Sequence, residues 1–169
     1  YWNGDATRLP AAMLSDYLRG FYLGNALARP GTLDLLGHAV DTRRVDVPTY
    51  ALATKEDHIA PWASCWPVTR QFCGPVRFVL GGSGHIAGVI NPPSRGKYGY
   101  WTCDDVAPSA AAWLEGATPQ EGSWWPDWAG WLAAHGGGRV PARDPAAGGL
   151  APLADAPGRY VRMRADRSD

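Results

Sequence analysis

Val76-Arg77-Phe78-Val79-Leu80, followed by Gly81-Gly82-Ser83-Gly84-His85, is the stretch on which the fold turns. A short, β-favouring apolar run bounded by glycine predicts a buried strand, and the polar loop after it places a histidine at the strand's C-terminal end. Further upstream, Val47-Pro48-Thr49-Tyr50-Ala51-Leu52-Ala53 has the same form, with its proline at the start of the run where a missing N–H is tolerated. It leads directly into Thr54-Lys55-Glu56-Asp57-His58. The segment between the two runs is long enough for a crossover helix, which Pro61 would start near Ile59 by occupying the first turn. Strand, helix, strand is the economical reading, so the predicted fold is α/β with a mostly parallel sheet. Both polar loops then emerge at the C-terminal edge of that sheet, where open α/β folds bind ligands.

On either side of this unit the pattern is helical. Leu14, Leu18, Phe21 and Tyr22 form an apolar stripe that predicts a helix over Ala11 to Leu27, weakened by Gly20 and Gly24 and ended by Pro30-Gly31. Downstream, a turn at Asn91-Pro92-Pro93 precedes a short helix over Pro108 to Leu114. A longer one follows from Trp125 to Ala134, with Trp128, Trp131 and Leu132 on one face and Gly136-Gly137-Gly138 as its stop. The remainder is rich in Ala, Pro and Gly, and Arg159 to Arg164 alternates in polarity as an edge strand would.

Composition removes several function classes. At 169 residues the chain can bury a core as one domain and is too short to promise two. Sixteen basic residues balance sixteen acidic ones, so no global field attracts nucleic acid or an anionic bilayer, although local contacts to an anionic group stay open. Charges, glycines and prolines interrupt every hydrophobic run, which excludes a membrane span. Cys65, Cys73 and Cys103 form neither a CxxC pair nor ligand-like spacing, so reduced cysteines of a cytoplasmic protein are the simpler reading than a disulfide framework or a zinc site. Nine tryptophans imply either a packed aromatic core or an adhesive surface, and composition leaves both open. Tyr1-Trp2-Asn3-Gly4 carries neither an initiator methionine nor a basic, apolar leader and reads as the middle of a longer polypeptide.

Asp57 and His85 are the pair in which chemistry is expected. An imidazole can take a proton from a nucleophile and return it, while a carboxylate on its other nitrogen fixes the tautomer and steadies the imidazolium. Each residue follows a predicted strand, and acid before histidine matches the last two members of an α/β-hydrolase triad. The bland readings are a structural histidine, and a helix cap or surface carboxylate for Asp57. His58 competes as the base, but adjacent side chains diverge, and His38 and His135 default to structure. Ser64-Cys65-Trp66, Phe72-Cys73-Gly74 and Thr102-Cys103-Asp104 lack the nucleophile-elbow pattern, and Ser83 sits too close to His85 to be its partner. The nucleophile is expected upstream of Tyr1.

Longer blocks carry a family resemblance. Tyr1 to Pro10, Tyr17-Leu18-Arg19 and Tyr22-Leu23-Gly24-Asn25 resemble the segment closing the cap region of poly(3-hydroxyalkanoate) synthases. Glu56-Asp57-His58-Ile59-Ala60-Pro61-Trp62 is similar to their triad-aspartate loop, and Gly84-His85-Ile86-Ala87-Gly88-Val89-Ile90-Asn91-Pro92-Pro93 to their catalytic-histidine loop. Gly122-Ser123-Trp124-Trp125-Pro126-Asp127-Trp128 and Ala156-Pro157-Gly158-Arg159-Tyr160-Val161 match the family's C-terminal signatures, which fit its single-chain, short-substrate class.

The resemblance implies the C-terminal part of an α/β-hydrolase fold, with residues 1–44 as the end of the cap region and return to the core, and 45–169 as catalytic domain. It further implies a cysteine-bound intermediate through which 3-hydroxyacyl groups pass from CoA thioesters to a growing polyester, with Asp57 and His85 as triad members. CoA would be part of the substrate and the leaving group, and no metal or redox cofactor would be needed. The implied parent enzyme is a homodimer that meets its polymer at cytoplasmic granules, and the isolated segment would be inactive. The rival readings are an esterase, thioesterase or polyester depolymerase built on the same pair, and a noncatalytic granule-binding module.

Overall fold

The computed structural model describes residues 8–105 and 107–163. Two units are distinguished, Tyr1–His135 and Gly136–Asp169. The first carries every described α-helix and strand.

Helix α1 (Ala11–Tyr17) starts behind Pro10 and passes into a π-helical turn over Leu18–Leu23, closed by the Gly24 N–H donating to the Arg19 carbonyl at 2.8 Å. Asn25 then takes a left-handed φ of 43°, so the helix predicted as far as Leu27 is shorter and ends in a 3-10 turn, Ala26–Ala28. Strands β1 (Leu33–Leu35) and β2 (His38–Val40) pair as an antiparallel hairpin. Leu36 and Gly37, both at positive φ, make the two-residue turn whose twist suits such a hairpin.

The main sheet begins with β3 (Thr49–Thr54). After it come α2 (Trp62–Cys65) and α3 (Val68–Gln71), single turns kept apart by Pro67, which has no N–H to continue α2. They lead to β4 (Val76–Gly81), which pairs parallel to β3 from Thr49 opposite Val76 to Thr54 opposite Gly81. β5 (Tyr100–Thr102), α4 (Ala110–Gly116), β6 (Thr118–Gln120) and α5 (Trp125–His135) complete the unit.

The expectation of a mostly parallel sheet is overturned. The order is β3-β4-β5-β6, only β3 and β4 run parallel, and β5 pairs antiparallel with both β4 and β6. A parallel return after β4 would need a crossover of a dozen residues or more, usually a helix. The glycines and the Pro92-Pro93 pair leave only short turns between β4 and β5, among them the 3-10 turn Pro93–Arg95, and the chain comes back in the opposite direction.

Alternation along β3 and β4 gives the sheet two different faces. On one, Phe78 and Leu80 join Ala53, Trp66 and Trp113 in the core, with the Trp113 ring edge-on to Phe78 at 5.0 Å. Leu80 is fully buried, a contribution of roughly 1.5–3 kcal/mol. On the other face, register partners Tyr50 and Arg77 both reach Asp127 at the start of α5. The Tyr50 hydroxyl donates to Asp127 Oδ2 at 2.9 Å, while Arg77 Nη2 and Nε donate to Oδ1 and Oδ2 at 2.6 and 3.0 Å. The Tyr50 ring also packs on Trp124 and Trp131.

Within the second unit the described residues form 3-10 turns at Pro145–Gly148 and Tyr160–Arg162. The edge strand predicted from Arg159 is not observed among the described residues, where Tyr160–Arg162 turns as a 3-10 helix instead; Arg164, the end of that prediction, lies outside the described residues.

Candidate functional site

The parallel ladder does not stop where the strands do. Beyond the last paired residues, the Lys55 N–H donates to the Gly81 carbonyl at 2.8 Å and the Glu56 N–H to the Ser83 carbonyl at 2.9 Å. Ser83 holds a left-handed φ of 67°, which lets its carbonyl face the neighbouring loop. The two polar loops are thus tied together by backbone before either side chain matters.

Asp57 uses its two carboxylate oxygens differently. Oδ1 accepts from the Ile59 and Ala60 N–H groups at 2.8 and 2.9 Å, capping the turn that leads to α2. Oδ2 lies 2.8 Å from His85 Nδ1. One carboxylate thus closes its own loop and meets the histidine, while the N-cap position of α2 falls to Pro61 rather than to Asp57. Its side chain is 9% exposed, against 46% for His85. The backbone N–H of Ala60, then the bond to His85 and the N–H of Ile59, hold the Asp57 pKa down at about 2. An ionised carboxylate only accepts, so Nδ1 donates in this bond; in a neutral imidazole so held, Nε2 keeps its lone pair, the arrangement required of a general base.

The histidine sits in one helical turn. Gly88 N–H donates to the Gly84 carbonyl at 2.9 Å and Ile90 N–H to the Ile86 carbonyl at 2.8 Å. A side chain at Gly88 would meet the Gly82 carbonyl and Thr54 Cγ2, both at 2.5 Å, so the turn seats directly on the strand ends only because that position has none. Trp124 Nε1 donates to the Gly88 carbonyl at 3.1 Å and Trp125 Nε1 to the Val89 carbonyl at 3.0 Å. Buried Asn91 then donates from Nδ2 to the Lys97 carbonyl at 2.8 Å, closing the next loop.

The other residues singled out in the sequence lie outside this contact. His58 is exposed in the Asp57 loop, and His135 points Nδ1 at the Trp131 carbonyl at 2.8 Å. Exposed His38 lies on β2. Cys65, Cys73 and Cys103 are free thiols. Cys65 contacts the Ala60 carbonyl, and burial followed by the Asp57 charge pushes its thiol pKa up, away from the nucleophilic thiolate. No cluster able to hold a metal ion occurs among the described residues.

A cleft of about 500 Å³, lined by Lys55, Glu56, Gly82, Ser83, Tyr98 and Trp101, opens beside the two loops. A second cavity of about 340 Å³ lies around Pro48, Pro75 and Arg77, at the opposite ends of the strands. The first is lined by the loop neighbours Glu56 and Ser83 but by neither Asp57 nor His85.

The sequence reading missed the role of Trp124 and Trp125, because an indole reaching a carbonyl 36 positions away leaves no local pattern. It also missed the Tyr50, Arg77 and Asp127 network, for which the strand register was the missing signal.

No protein-family model matches the chain. Among curated proteins it is 48% identical over 168 residues to the poly(3-hydroxyalkanoate) polymerase subunit of Cupriavidus necator, covering 98% of this chain and 28% of the relative. The corresponding subunit of Rhizobium meliloti is 51% identical over 165 residues, covering 98% of this chain and 27% of that protein. Poly(3-hydroxyalkanoate) polymerase 2 of Ectopseudomonas oleovorans is 39% identical over 165 residues, covering 97% and 29%. The chain spans a little over a quarter of the length of the curated relatives it matches. With this identity along nearly its whole length, the chain is homologous to part of the poly(3-hydroxyalkanoate) polymerases.

Proposed function

We propose that this segment supplies the acid and the base of a Cys-His-Asp triad in a polyester-forming acyltransferase, and that the nucleophilic cysteine lies in the remainder of a longer polypeptide. The carrying observation is the 2.8 Å contact between Asp57 Oδ2 and His85 Nδ1, at the C-terminal ends of adjacent parallel strands. The names and partial coverage of the relatives support the substrate class and the need for additional chain.

In this reading His85 Nε2 takes the thiol proton, and the thiolate attacks the carbonyl of a 3-hydroxyacyl-CoA. The tetrahedral adduct expels CoA thiolate, which leaves with the proton from His85, and the acyl group stays on sulfur. His85 then removes a proton from the hydroxyl of another acyl unit. That alkoxide attacks the enzyme thioester, the C–S bond breaks as the ester bond forms, and the expelled cysteine thiolate takes back the proton from His85. Asp57 stays ionised throughout and stabilises the imidazolium formed in each half-reaction. CoA enters as part of the substrate and departs as the leaving group. The same reading places the parent polypeptide, as a homodimer, at cytoplasmic polyester granules.

The test is CoA release from (R)-3-hydroxybutyryl-CoA by the full-length polypeptide, with product size measured in the same reaction. CoA release together with high-mass polyester is the expected result. Release with only free hydroxy acid would replace the growing chain by water and make the enzyme a thioesterase.

A further inference from the structure

Resting on the roles proposed for Asp57 and His85, we propose that Trp124 and Trp125 are positioning residues for the histidine: two consecutive indole N–H groups hold the turn that aims its imidazole. Their acceptors, the carbonyls of Gly88 and Val89, are also consecutive and lie at the end of the turn that begins at Gly84. A one-turn helix leaves such terminal carbonyls short of the donors that a further turn would provide: that of Gly88 takes the Trp124 indole, and that of Val89 takes the Trp125 indole beside the Asn91 N–H at 3.0 Å.

The clamp is rigid at its root. Trp124 is 7% exposed, and its ring lies 6.1 Å from that of Tyr50. Asp127, two and three positions beyond the indoles, is bonded to Tyr50 on β3 and Arg77 on β4. The same strands deliver Asp57 and His85 at their far ends. The turn is therefore fixed from below by Gly88 against Gly82 and Thr54, and from the side by the indoles. A half-exposed histidine takes its direction from that backbone as well as from its carboxylate.

Phenylalanine at either position removes one N–H while retaining an aromatic ring. Trp124→Phe, Trp125→Phe and the double variant would be made in the full-length polypeptide, beside Trp128→Phe and His85→Ala. kcat and KM for CoA release from (R)-3-hydroxybutyryl-CoA would be measured together with the thermal midpoint. A misdirected base lowers kcat and leaves substrate binding alone, so the single variants should lose about tenfold in kcat and the double variant more, with KM within about twofold. Trp128→Phe should match the unsubstituted enzyme, and the thermal midpoint of Trp125→Phe should stay close to it. The inference is overturned by a double variant with full kcat, by a rise in KM at constant kcat, or by a fall in kcat matched by loss of folded protein. Full kcat in the double variant beside an inactive His85→Ala would overturn the clamp alone. An active His85→Ala would overturn the triad reading and the clamp with it.

Discussion

Asp57 and Asp127 are both held below the usual carboxylate range, yet they belong to different kinds of structure. Asp57 is bonded to its own loop and to a histidine 46% exposed to solvent. Asp127 is bonded to Arg77 and Tyr50; burial alone would raise its pKa, and those two partners outweigh burial. An imidazole exchanges protons near neutrality. A guanidinium stays charged, and the Tyr50 phenol is pushed further from titration by burial and by Asp127 itself. A depressed carboxylate is therefore not by itself the mark of a site. What separates the two is whether the partner can move a proton and can be reached while doing so.

The largest test of that contrast is Asp57→Asn in the full-length polypeptide. An amide can leave His85 in the wrong tautomer, so kcat for CoA release should fall by about 10³–10⁴-fold per folded molecule, far more than the modest lowering of the thermal midpoint would explain. A loss below tenfold would remove Asp57 from its orienting role. Asp127→Ala should do the reverse. It strands Arg77 and the Tyr50 hydroxyl, and because Arg77 is partly exposed the destabilisation should be about 2–3 kcal/mol by denaturant unfolding. Activity per folded molecule should fall far less than in Asp57→Asn; an equal fall would erase the distinction between the two carboxylates.

Acid titration sharpens the same comparison. The folded Asp57 pKa of about 2 lies below the ordinary value of about 3.9 for the unfolded chain. Its stabilising contribution is therefore complete above the unfolded value and is lost as pH falls from about 4 towards about 2. Asp127 is shifted in the same direction, so the informative quantity is the difference between the unsubstituted protein and Asp57→Asn. That difference in thermal midpoint should shrink as pH falls from about 4 towards about 2. A difference that instead grew over that range would contradict the geometry of the Asp57 loop.

The legible part of the molecule was its central unit. Val47 to Ala53 and Val76 to Leu80 announced β3 and β4 through apolar runs closed by polar loops, and chain order singled out Asp57 and His85, which the fold brings into contact. What lay beyond was written in short or distant relations. β5 and β6 are three residues each, too brief to show a period, and β6 contains a proline that argues against a strand. The β1–β2 turn uses Leu36 at positive φ, where asparagine or glycine would have signalled a hairpin. With those elements unseen, the parallel β3–β4 pair was extended into a sheet whose remaining pairings are antiparallel. The tryptophan-rich segment divides between buried Trp124 and half-exposed Trp128, so neither the core nor the surface reading describes it whole.

The smallest expected effect comes from the thiols. Cys65 is close enough to the Asp57 loop to contact the Ala60 carbonyl, but burial and the Asp57 charge raise its pKa and disfavour the attacking thiolate. Cys73 is exposed and accounted for by the Val45 carbonyl, and Cys103 lies against the core rather than in either loop of the pair. Replacing all three by serine in the full-length polypeptide should change kcat for CoA release by no more than about twofold, the scale of substitutions away from a site. Acyl transfer would then require a thiol from elsewhere in the polypeptide. Loss of CoA release from the folded triple variant would bring the nucleophile into this segment and break the division of the triad on which the proposed reaction depends.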